Sequence, residues 1–145
     1  MGKLDLIICM DAGCGDYTHL WNTVSLRGVV NTVLSVRLLK ESVHSGSNGG
    51  IAADTFNVCR QLLDRLEDPK TGKMLNDLYV EITPQRLEQA KNAAAAMGDG
   101  LWKKVPFIAT AKPLGDTKEN FEILLNNTWR PTLAITGADG LPQIS

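Results

Sequence analysis

The chain lacks a run of apolar residues approaching the roughly 20 that cross a bilayer. No membrane partner is expected on that ground. Its opening "MGKLDLIICM" has too short an apolar stretch for a secretory signal, and no cleavage site follows. Charge of one sign is also lacking. Fifteen Lys and Arg face sixteen Asp and Glu, for a net charge of −1. That balance argues against nucleic acid or an anionic lipid surface as partner. Cysteine is scarce and odd in number: Cys9, Cys14 and Cys59. Four residues separate the first two, so they do not form a redox C-x-x-C. Reduced thiols and a cytoplasmic location are the expectation. H-x-D, H-E-x-x-H and adjacent glutamates are all missing, as are a G-x-S-x-G elbow and a G-K-[ST] phosphate loop. With only two histidines, His19 and His44, these residues do not complete a metallohydrolase or serine-hydrolase site.

What is present is an ordinary globular composition, 43% hydrophobic and 21% charged over 145 residues. Such a length can bury a core without disulfide or metal staples. "LDLIIC" (4–9) reads as a buried strand and leads into the glycine-rich "MDAGCGD". "LRGVVNTVLSVRLL" (26–39) alternates, with Val30, Thr32, Leu34, Val36 and Leu38 on one face, and predicts a long strand. "AADTFNVCRQLLDRLED" carries Phe56, Cys59, Leu62, Leu63 and Leu66 at helical spacing and ends at Asp68-Pro69. "LYVEI" (78–82) reads as a short strand or an extended link. "TPQRLEQAKNAAAAMG" predicts a helix with Thr83 as cap, Pro84 in the first turn and Gly98 as stop. "DTKENFEILLNN" predicts another, with Asp116 and Glu119 as a capping box. "RPTLAITG" reads as a last strand, and both ends of the chain read as cut through a larger sheet.

Two residues are candidates for chemistry. Asp11 follows the first strand-like run, where open α/β sheets place ligands, and its carboxylate suits zinc, manganese or magnesium. The simpler alternative is a loop aspartate capping a turn. His44 sits in "ESVHSGSNGG". A neutral imidazole there can donate to an oxyanion or a substrate carboxylate, and the glycines suggest exposed backbone amides at a helix mouth. The simpler alternative is a surface loop with an incidental histidine. His19, in "DYTHLW", reads as a packed or surface histidine.

In order, the chain offers a strand, "CMDAGCGDYTHLW", "SLRGVVNTVLSV", "VHSGSNGG" and an amphipathic helix. This arrangement resembles the zinc aminoacylase and dipeptidase family, which includes carnosine and cysteinylglycine dipeptidases, acetylornithine deacetylase and carboxypeptidase G. Arg27, Gly28, His44, Ser45, Gly46, Gly49 and Gly50 match that family's pattern. "RPTLAITG" with "ADG" is similar to a later lid segment of the dipeptidase branch. The resemblance implies that residues 1–24 end a catalytic α/β domain. Residues 25–145 would then form part of a lid or dimerisation domain, with a helical insertion at 76–128. The implied fold is α+β: an antiparallel sheet with helices on one face, an incomplete ferredoxin-like lid preceded by one strand of the catalytic domain.

The resemblance also implies a function. The parent enzyme would use two divalent metal ions, zinc or alternatively manganese, to cleave peptide or amide bonds in dipeptides or short N-acyl amino acids. Asp11 would be one metal ligand. His44 would be a catalytic residue that reaches the substrate of a second subunit, binds it and stabilises its tetrahedral intermediate, with Gly49 and Gly50 also binding substrate. The partner would be a second copy, forming a homodimer through the lid. This sequence departs from the family in lacking the H-x-D motif, the glutamate pair and the late histidine ligand. These residues alone are therefore expected not to hold the metal pair fully and not to hydrolyse substrate. A standalone, non-catalytic dimerisation module is the alternative. A third reading, a small anion- or nucleotide-binding domain using "GSNGG", is weakened by the missing lysine in that loop.

Overall fold

The structure is a computed structural model that describes residues 2–141. Met1 and residues 142–145, the last part of the expected lid, lie outside the described residues. The chain divides into two units, Met1–Gly28 with Ile82–Trp129, and Val29–Glu81 with Arg130–Ser145.

In the first unit the core is helical. Helix α3 (Pro84–Met97) forms where the sequence places it. Thr83 holds the N-cap position in extended geometry, and Pro84 begins the helix with the φ it already prefers. The alanine-rich body has the highest helix propensity available. Gly98, at φ 53°, ends the helix and donates its N–H to the Ala94 carbonyl. Thr83 makes no side-chain capping bond, so the proline and the alanines carry the start. Ala90 and Ala94 lie one turn apart and are both buried, which gives α3 a smooth face.

Helix α4 (Gly100–Lys103) and helix α5 (Asn120–Thr128) pack on that face. They bury Leu101, Leu124 and Leu125 against the two alanines. Leu87, Met97, Phe121 and Trp129 close the cluster at its edge. Burying each leucine stabilises the unit by roughly 1.5–3 kcal/mol. Asn120 Nδ2 donates to Asp99 Oδ1 at 3.2 Å, and Lys103 Nζ meets Asp99 Oδ2 at 2.7 Å. Asp99 thus ties the start of α4 to the start of α5.

The expected capping box at Asp116 and Glu119 does not form. Helix α5 begins later, with Glu119 as N-cap and no side-chain capping bond. Asp116 sits in a 3-10 turn, Leu114–Asp116, at φ 52°. Its carboxylate is taken by Lys112 Nζ at 2.9 Å. The Glu119 N–H is met instead by Thr117 Oγ1 at 3.1 Å.

The second unit contains α1 (Ser45–Asn48) and α2 (Thr55–Leu63). Asp54 caps α2 by accepting from the Asn57 N–H at 2.9 Å. No residue of α2 is buried, and Phe56 is 62% exposed. Beyond α2 the chain reverses at Asp68. Its Oδ1 accepts from Lys70 N at 2.7 Å and Thr71 N at 3.0 Å, an aspartate-closed turn. Gly72 takes φ 66° to finish the reversal, and Met74 is buried beside the isolated bridge between Glu67 and Met74.

The expected antiparallel sheet is not there, and the ferredoxin-like α+β reading is corrected. Among the described residues the regular structure is helical, with only two isolated bridges, Gly49–Ala52 and Glu67–Met74. Residues 4–9, 26–39, 78–82 and 130–137 form no ladder. The reason is physical. A helix satisfies its backbone from within, whereas a strand needs a neighbour to pair every N–H and C=O. Alternation marks which residues would face a core, but it does not supply that neighbour. The apolar side chains accordingly stay open, with Val30 at 90% and Ile8 at 74% exposure. No helix of the described residues is long and apolar enough to cross a membrane.

Candidate functional site

The loop "ESVHSGSNGG" is built around the backbone and ring of His44. His44 is the N-cap of α1, in extended geometry at φ −70° and ψ 126°. Its carbonyl accepts from Ser47 N and Asn48 N, each at 3.2 Å, and from Asn48 Nδ2 at 3.1 Å. Its ring folds back so that Nδ1 accepts the Gly46 N–H at 3.1 Å. An Nδ1 that accepts carries no proton, so the neutral ring holds its hydrogen on Nε2. His44 is exposed. The residue therefore presents one fixed donor to solvent.

The glycines of the loop each have a local reason. A Cβ on Gly46 would stand 2.9 Å from Cε1 of His44 and push the ring from its place. A Cβ on Gly49 would meet the Ser45 carbonyl oxygen at 2.7 Å. Gly50 has φ 81°, a left-handed backbone that costs other residues roughly 1–2 kcal/mol. The expected cradle of open amides is largely spent within the loop. Gly46 donates to the His44 ring, Ser47 and Asn48 to the His44 carbonyl, and Gly49 to Ser45 O at 2.8 Å. Ile51 and Ala52 both donate to Asn48 O. The exposed imidazole remains as a donor that the loop can offer a ligand.

Asp11 is exposed in an irregular stretch of the first unit, while His44 belongs to the second. Among the described residues no group of three or more His, Cys, Asp or Glu is placed to hold a metal ion. A two-metal centre needs several nitrogen and oxygen ligands converging on each ion. The donors among the described residues do not fit that requirement. Cys9 and Cys14 are exposed thiols, and Cys59 is half-buried on α2.

The other histidine is more organised than its sequence suggests. Asp16 gathers four hydrogen bonds, from Thr18 N and His19 N at 2.8 Å, Thr18 Oγ1 at 3.1 Å and His19 Nδ1 at 2.8 Å. Desolvation pushes the Asp16 carboxyl up, but the bonds from Thr18 and His19 together outweigh it. They hold the carboxyl well below the usual carboxylate range. The His19 ring also lies edge-on to Trp21, with centroids 6.4 Å apart. A Cβ on Gly15 would overlap the Trp21 ring, so any larger residue there needs the indole to shift. The spacing Asp-x-Thr-His is the signal that reveals this turn, since an aspartate readily accepts from amides two and three residues on. The cluster is a closed local turn with His19 at its surface.

Compared with protein-family models and with curated proteins, the chain matches none.

Proposed function

We propose that the chain is a substrate-contacting and self-association part of a metal-dependent hydrolase of dipeptides or short N-acyl amino acids. The carrying observation is the Gly46 N–H bond to His44 Nδ1, which sets an exposed Nε2–H donor in a loop that needs its glycines. A neutral donor of this kind suits the oxyanion that forms when water attacks an amide carbonyl. Gly49 and Gly50 serve by shaping the loop around it. Asp11 would be one terminal carboxylate ligand of the zinc or manganese pair, and residues other than these would complete it. Exposed thiols at Cys9 and Cys14 support a cytoplasmic location within the same reading.

The test is to sequence the coding DNA on either side and translate it in frame. An H-x-D motif before Met1, with adjacent glutamates in the same frame, supports the hydrolase. Stop codons on both sides, with neither motif between them, would overturn it. In parallel, the 145 residues with added zinc or manganese are expected to give no dipeptide hydrolysis above a buffer blank. Turnover by this chain alone would contradict its role as a contributing part.

A second reading, a non-catalytic association module, is favoured by the exposed apolar side chains of Leu26, Val30 and Val33. A second copy is the partner in both readings. Sedimentation equilibrium separates them from a monomeric domain, and a monomer at high concentration would defeat both.

A further inference from the structure

We draw no further inference here: the strongest candidate, the open groove between α3 and the start of α5 flanked by Lys91 and Lys118, rests on a helix N-terminus and two surface lysines, with no second observation that points to a ligand.

Discussion

The helices of residues 82–129 and the stretch at 26–39 are both rich in apolar side chains, yet only the first encloses them. Ala94 and Leu125 are each 3% exposed, whereas Val30 stands 90% exposed. Hydrophobic content is therefore not what separates them. Helices α3 and α5 satisfy their own backbone and need only a face to pack against. The stretch at 26–39 has alternation but no ladder, so its valines and leucines have nothing to close on. Between these two segments apolar burial goes with backbone satisfaction, and α2, helical yet with no buried residue, shows that a packing face is needed as well.

The sharpest way to break that contrast is truncation on each side of it. Leu125→Ala removes a buried side chain from the α3–α5 contact and is expected to cost about 2–5 kcal/mol. Val30→Ala, at an exposed site, is expected to stay within about 0.5 kcal/mol. Thermal melts followed by far-UV circular dichroism compare the two. Equal losses would show that 26–39 is packed after all.

A smaller effect is expected at the end of α3. Gly98 combines φ 53° with ψ −147°, a region that other residues occupy only at a cost of about 1–3 kcal/mol. Gly98→Ala should lower the melting point of the helical signal, while Ala95→Gly, at an exposed position of the same helix, should cost about 1 kcal/mol or less. Matching losses would mean that the left-handed stop is not needed.

In the His44 loop the readout is local. Gly46→Ala should displace the ring, and the Nδ1 and Nε2 nitrogen shifts of His44 should lose the pattern of a proton fixed on Nε2. Global melting should hardly change. An unaltered nitrogen spectrum would show that the Gly46 bond does not set the tautomer.

The smallest effect concerns pH. The amides of Lys70 and Thr71 hold the Asp68 carboxyl below its ordinary value of 3.8. A depressed carboxylate contributes stability that is complete above the unfolded value and fades as pH falls through the folded one. The Lys70 and Thr71 amide resonances should therefore hold steady at neutral pH and move only in acid below that ordinary value. Asp68→Ala should leave them in solvent-like positions at every pH.

How much of this was legible depends on whether the cause was local. Pro84, the alanines and Gly98 announce α3 because capping and propensity act within a few residues. The start of α5 differs from the expected capping box for a local reason too, since Lys112 and Thr117 take the groups that the box would use. The alternation at 26–39 predicts a strand that does not form, because pairing partners are not written into an alternating stretch. His44 was visible as a candidate from its glycine-rich setting. The ring bond to Gly46 was not, because it depends on the side chain turning back on its own helix start. Asp11 has the sequence position of a strand-end ligand, but among the described residues 4–9 forms no ladder that would give it that place.

Amide hydrogen exchange on the intact chain tests the central contrast most directly. Slow exchange is expected at Ala94, Leu124 and Leu125, and exchange near the unfolded rate from Val29 to Leu39. Protection across residues 29–39 equal to that of α3 and α5 would contradict it.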